Sequence, residues 1–374
     1  MMDGFSGPLD ADPAPSLARR GRGATLNPAN RFEPHAAAPF DDGWNTLEEA
    51  FAALPPLPTT LTPDHSRSAI AWNDSPDIGF DRAVNPYRGC EHGCVYCYAR
   101  PSHAYLGYSP GLDFETRLTF KPEVASLLER ELRRPGYVAR TLALGSNTDC
   151  YQPVERTLKL TRAVLEVLEA YGHPVTVVTK SAGVLRDVDI LGRMAGRGLA
   201  RVWVSVTTLD AALARRMEPR AATPSRRLAA IAALSAAGVP AGVMAAPMIP
   251  GLNDAEMEHI LEAAAKAGAR HASWVLLRLP HELREMMQAW LAEHFPERAA
   301  HVLSLIRQTR AGRLNDSRFG QRFMGSGPYA DLLRRRFERA ARSCGFVETA
   351  PLDATRFAVP AARPGFAEAQ MSLF

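Results

Sequence analysis

From Phe80 onward, short apolar runs alternate with longer amphipathic stretches. The segments Ala83–Tyr87, Arg140–Leu144, Val175–Thr179, Arg201–Val206, Ala241–Ala245 and Ser273–Leu277 are compact and mostly apolar, which predicts buried strands. Between and after them, Pro122–Arg134, Glu155–Tyr171, Leu185–Arg197, Ser225–Ala237, Ala255–Ala267 and His281–Glu293 carry the helical period. Pro122 suits a first helical turn, Asp254 is placed to cap the helix that follows it, and Gly198, Gly238 and Gly268 stand just past helix ends. Strict alternation of strand and helix implies βαβ units around a parallel sheet. The expected class is therefore α/β, a partial (β/α)6 TIM-type barrel whose working rim lies at the carboxyl ends of the strands.

Past Arg298 this repeat is lost. A Gly-rich loop at Phe319–Pro328 leads into a helix, Tyr329–Cys344, expected to close the open edge of the barrel. The chain divides into a Pro/Ala/Arg-rich leader (1–66) read as mobile, a core with helical closure (67–345), and a tail (346–374).

Composition adds little to this. Hydrophobic residues make up 46% and charged residues 22%, as in an ordinary globular core, and the formal net charge is only +4. That excess is too small to mark a nucleic-acid binder by itself. No apolar run is long enough to span a bilayer, and no secretory signal stands at the start, so the expected location is cytoplasmic, without membrane. The count of cysteines is odd, at 5, and three of them crowd into one loop, which fits a reducing compartment and a metal site.

That loop reads Asn85-Pro86-Tyr87-Arg88-Gly89-Cys90-Glu91-His92-Gly93-Cys94-Val95-Tyr96-Cys97-Tyr98 and follows the first strand. Cys90, Cys94 and Cys97, spaced Cys-x3-Cys-x2-Cys, can take three corners of a [4Fe-4S] cubane and leave the fourth iron without a protein ligand. Zinc, with His92 or His103 as the fourth ligand, is the other reading, although paired Cys-x2-Cys knuckles are the usual zinc signature.

With an aromatic residue before its last cysteine, this motif resembles the signature of the radical S-adenosylmethionine (SAM) superfamily. The segments Asn147-Thr148-Asp149-Cys150-Tyr151-Gln152-Pro153, Pro247-Met248-Ile249-Pro250-Gly251-Leu252-Asn253-Asp254, Glu218-Pro219-Arg220 and Arg318-Phe319-Gly320 resemble the spore photoproduct lyase-like branch. The resemblance implies a [4Fe-4S] cluster that chelates SAM and cleaves it reductively to a 5′-deoxyadenosyl radical, with flavodoxin or ferredoxin as the kind of electron donor. It implies SAM contacts from Tyr96, Ser146, Thr148, Lys180 and Ser205, and hydrogen donation by Cys150 or Tyr98. Most have a plainer alternative: Tyr96 packs, Ser146-Asn147-Thr148 is turn chemistry, Lys180 is solvated, Cys150 is an inert core thiol.

Substrate is the less specific part of the reading. Arg88, Arg100 and His103, with Arg215, Arg216, Arg220, Arg226 and Arg227, are candidate phosphate contacts or solvated helix faces. The terminal Gln370-Met371-Ser372-Leu373-Phe374 resembles the pentapeptide by which bacterial DNA polymerases and repair proteins hold the sliding clamp, and so implies that clamp as a partner. Damaged or modified DNA is the leading substrate. The alternatives are a protein or small metabolite, or a DNA-associated iron–sulfur protein without radical chemistry.

Overall fold

A computed structural model of the chain describes residues 21–32 and 57–361. Its centre is a seven-stranded sheet built from β2 (Ile70–Trp72), β3 (Arg82–Val84), β6 (Leu142–Leu144), β7 (Val175–Thr179), β8 (Ala200–Ser205), β9 (Ala241–Met248) and β10 (His271–Leu276). The order is β10-β9-β8-β7-β6-β3-β2, and every pair is parallel except the edge pair β2–β3. Strands lie side by side in chain order, as right-handed βα winding requires, and the expected (β/α)6 partial barrel is what forms.

Local chemistry explains most elements. The β7 sequence VTVVT buries every second residue, while β8 is buried on nearly its whole length, as a central parallel strand must be. Outside the sheet, the helix Leu160–Ala170 turns Thr161, Val164, Leu165 and Leu168 inward at spacings of three and four, one face of a helix. Of these, Val164, Leu165 and Leu168 join the strand residues Leu142, Leu144, Val175, Val177, Val202 and Val243 in one continuous core.

Several expectations change. The strand foreseen at Ala83–Tyr87 breaks at Asn85-Pro86: β3 stays in the barrel, while β4 (Tyr87–Arg88) pairs with β5 (Arg117–Phe120), which also pairs with β1 (Thr60–Pro63) in a separate three-stranded sheet. Proline supplies no ladder donor, and the chain turns there toward the cysteine loop. The helix foreseen from Glu155 is interrupted at Lys159, whose φ of 54° is left-handed. Asp254 does not cap: its carboxylate accepts from the Gly251 N–H at 2.9 Å and from Tyr329 at 2.5 Å, and the helix starts later, at Met257. A further helix, Pro296–Gln308, occupies the region where the repeat fades.

Part of the leader segment packs on the core. Within 21–32, Arg22 and Ala24 are buried, and the N–H groups of Gly23 and Ala24 donate to the Glu115 carboxylate at 3.0 and 2.9 Å. At the other end of the chain, Pro328–Ser343 packs on the helix Met257–Lys266 and on β10. The tail beyond it continues across the amino ends of the strands, where Val347, Asp353 and Ala358 donate to the carbonyls of Arg270, Gly198 and Tyr171. The pentapeptide 370–374 lies outside the described residues.

Candidate functional site

The cysteine loop caps the carboxyl ends of the parallel strands. Its backbone is held by hydrogen bonds from the Cys90 N–H to Phe114 O (2.8 Å), the Val95 N–H to Met217 O (3.0 Å) and Arg100 Nε to Cys94 O (2.8 Å). Gln152 adds two more, accepting from the Glu91 N–H at 2.9 Å and donating to Gly89 O at 3.2 Å. Gly93 adopts φ 69°, and a Cβ there would sit 2.8 Å from the Glu115 carboxylate. A larger residue there would be strained by the left-handed φ and would displace the Glu115 carboxylate.

Cys90, Cys94 and Cys97 are all unpaired; the first two are buried and Cys97 is partly open. Burial pushes the Cys94 thiol up to about 12, with Lys180 opposing and Glu218 adding to the shift. Burial also raises Cys90, helped by nearby Asp149. Such thiols give up their protons to a cationic metal core rather than to water. Among the described residues, no three His, Cys, Asp or Glu side chains converge closely enough to hold a single ion.

Two acidic residues tie this loop to the strand ends. Asp149 accepts from Thr179 Oγ1 at 2.7 Å and the Lys180 N–H at 2.7 Å, and stands 3.3 Å from His92 Nδ1. Burial opposes its charge, but His92 and these donors hold the carboxyl well below the usual range. Glu218, also buried, lies 2.5 Å from Arg227 Nη2, accepts from the Tyr96 hydroxyl and is 3.9 Å from Cys94 Sγ. These residues belong to the Asn-Thr-Asp and Glu-Pro-Arg segments, yet their anchoring role was not legible there because both carboxylates act on side chains distant in sequence.

The predicted SAM contacts gather at the same rim with different freedom. Lys180 is half-buried, its Nζ 5.7 Å from the Tyr96 ring centroid, and it makes no salt bridge among the described residues. Ser146 is partly open, and its carbonyl accepts from the Tyr98 hydroxyl. The Thr148 hydroxyl is committed to Tyr87 O at 2.8 Å, and Ser205 is buried with its carbonyl held by Arg227 Nη1 at 3.1 Å. The two candidate hydrogen donors separate clearly. Cys150 is 0% exposed within the sheet core, so that core seals its thiol from the barrel mouth. Tyr98 is 47% exposed at the mouth, though surrounded by enough protein to push its phenol up to about 12.

Three of the expected phosphate contacts, Arg100, His103 and Arg227, are internal, and two more are paired with acids. Arg100 is fully buried against Glu115 at 2.5 Å, Arg227 against Glu218, and Arg220 reaches Glu91 at 3.1 Å. His103 is buried as well, and burial lowers it to about 4, which leaves it neutral. Arg88 pairs with Asp64 at 3.0 Å. Arg215, Arg216 and Arg226 remain exposed on helices. Sequence reasoning passed over a different basic region, a cavity of 660 Å³ beside the rim that includes Arg278, Arg284, Arg307, Arg313 and Arg322.

Comparison with known proteins agrees with this architecture. Residues 84–264 match the Radical SAM superfamily. Uncharacterized proteins of Mycobacterium bovis and Mycobacterium tuberculosis are 39% identical over 233 residues, 62% of this chain and 68% of each relative. A more distant relative, from Methanocaldococcus jannaschii, is 26% identical over 178 residues, 48% of this chain and 64% of its own length. Spore photoproduct lyase complexed with dinucleoside spore photoproduct superposes with a TM-score of 0.54 at 16% identity, covering 76% of this chain and 80% of that one. A variant of that lyase with bound AdoMet and the dinucleoside gives 0.52 at 16% identity, over 73% and 77%. With its cysteine triad at the mouth of a six-stranded parallel barrel, this chain belongs to the radical SAM superfamily and folds like spore photoproduct lyase.

Proposed function

We propose that Cys90, Cys94 and Cys97 ligate three irons of a [4Fe-4S] cluster and that SAM binds at the fourth. The observation that carries this reading is the loop itself: three unpaired thiols on one glycine-bent segment at the strand ends. When bound, the cluster and SAM supply a reducing electron and a cleavable C5′–S bond, the source of a 5′-deoxyadenosyl radical.

The protein's own side chains set the placement. Lys180 presents an ammonium toward the space beside Tyr96, where a carboxylate of the cofactor is neutralised. Tyr96, fixed by Glu218 and by Thr207 Oγ1 at 3.2 Å, lends a buried aromatic surface to the adenine side. Ser146, with Thr148 and Ser205 behind it, lines the polar rim. Tyr98 is the hydrogen donor candidate at the mouth, with its O–H held on Ser146 O.

Damaged or modified DNA is the proposed substrate. Support comes from the fold shared with a lyase whose structure holds a dinucleoside photoproduct, and from the terminal Gln370-Met371-Ser372-Leu373-Phe374, a candidate anchor to the DNA sliding clamp. Flavodoxin or ferredoxin would deliver the electron. No helix among the described residues is long and apolar enough to cross a membrane.

The test is anaerobic reconstitution with iron and sulfide, followed by product analysis with SAM and reductant, with and without irradiated DNA. A brown protein forming 5′-deoxyadenosine, faster with the DNA, is expected. A zinc-loaded, colourless protein would overturn the cluster, and DNA-independent turnover would overturn the substrate.

A further inference from the structure

A line of alternating aromatic rings and guanidinium groups runs from the protein surface to the cysteine loop. Phe319, 62% exposed, has Arg322 over its ring at 4.9 Å. Arg322 also lies 4.9 Å from the Phe323 ring centroid, on which Arg278 stacks at 5.2 Å. Arg278 then lies 5.3 Å from the centroid of Tyr98, the residue next to Cys97. Asp77 braces the outer end, 2.6 Å from Arg322 Nε while it accepts from the Gly320 N–H at 2.7 Å.

The basic cavity flanks this line. Arg284, Arg307 and Arg313 on its wall are exposed and make no salt bridge among the described residues. Its one lining carboxylate, Asp316, is neutralised by Arg318 at 2.6 Å. Beneath it Arg310 is fully buried with four backbone carbonyls as its partners and no carboxylate, so it adds a further positive charge. Guanidinium groups that outnumber the carboxylates around them favour an anion that joins them.

Rings for stacking, interleaved with cations and bordered by an anion-attracting wall, are the elements of a single-strand nucleic-acid groove. The geometry points to a track for single-stranded DNA, with bases stacking from Phe319 inward and phosphodiesters lying against Arg284, Arg307 and Arg313. It delivers a nucleotide to Tyr98 beside the radical site. This inference rests on the proposed radical chemistry at a DNA substrate, and adds where and in what form the strand approaches.

The experiment measures fluorescence anisotropy of a labelled DNA strand of about twelve nucleotides with the reconstituted full chain, against the same sequence as duplex. Single strand should bind more tightly than duplex, and binding should weaken with salt. Reversing Arg284, Arg307 and Arg313 to Glu should weaken it by roughly a hundredfold and flatten the log–log salt slope by about 0.7 per lost phosphate contact. Phe319→Ala should cost roughly tenfold with the slope unchanged. Circular dichroism and iron content should stay as in the parent, since all four side chains are exposed and lie outside the cysteine loop. Unchanged affinity in the triple variant overturns the track, as does an ineffective Phe319→Ala combined with equal duplex binding. SAM cleavage without strand binding overturns the track and leaves the radical reading standing. Strand binding without 5′-deoxyadenosine supports the track and removes the radical reading.

Discussion

Glu218 and Arg227 form an ion pair at 2.5 Å, each only 1% exposed at its side chain, directly behind the cysteine loop. Burial works against the charge on Arg227, and Glu218 more than restores it. Through Tyr96 on one side and Ser205 O on the other, the pair links the loop to the end of β8. Two desolvated charges in this position contribute little net stability but hold a defined geometry.

Removing one partner of that pair should be severe. Arg227→Met leaves Glu218 buried and uncompensated, a loss of about 3–5 kcal/mol. Thermal denaturation should show it as a large drop in Tm. The double variant Arg227→Met with Glu218→Gln should recover part of the loss. A single variant as stable as the parent would show that the pair does not carry its charges.

Lys180 offers a test of cofactor placement. Lys180→Met keeps the length of the stem but deletes the ammonium, and should weaken SAM binding by roughly tenfold, about one lost exposed-to-buried ion pair. Iron content and the cluster absorbance should be unchanged, because the Asp149 contact to this residue is through its backbone N–H. Isothermal titration with SAM would measure the difference.

Gly23 tests the leader. A Cβ at this position would lie 1.7 Å from Gly93 O, so Gly23→Ala must push the leader off the cysteine loop or distort the loop itself. Reconstituted Gly23→Ala should retain less iron than the parent, and its cluster should bleach faster in air. Equal iron retention would mean that 21–32 packs near the loop without supporting it.

His173 predicts a pH dependence. It is fully buried, bonded to Tyr137 OH at 2.9 Å and Pro174 O at 3.0 Å, with Phe357 against its ring and Arg82 nearby. Burial lowers it to about 4 from an ordinary 6.5, so folding favours the neutral ring. Below pH 6.5 the unfolded chain takes up a proton that the folded chain refuses, and stability falls until about pH 4, by on the order of 3 kcal/mol. Urea unfolding across this range should show the slope, and His173→Gln should reduce it.

Deleting Gln370–Phe374 should abolish retention on an immobilised sliding clamp while leaving iron content intact. Retention of the truncated chain would dismiss the pentapeptide as an anchor.

The amino-acid sequence alone determined the parallel barrel and the cysteine triad. Alternation of strand and helix is a local signal, and the triad is three thiols on one short loop, so neighbours in sequence suffice for both. What tertiary structure decided was the fate of individual side chains. Arg100 and Arg227 read like phosphate contacts but are buried against Glu115 and Glu218, while Arg284, Arg307 and Arg313, from separate segments, share one cavity wall. Cys150 and Tyr98 looked equivalent as hydrogen donors until packing sealed one in the core and left the other at the mouth. Charge and reactivity depend on which groups meet across the fold and how much water remains between them, and periodicity along the chain encodes neither.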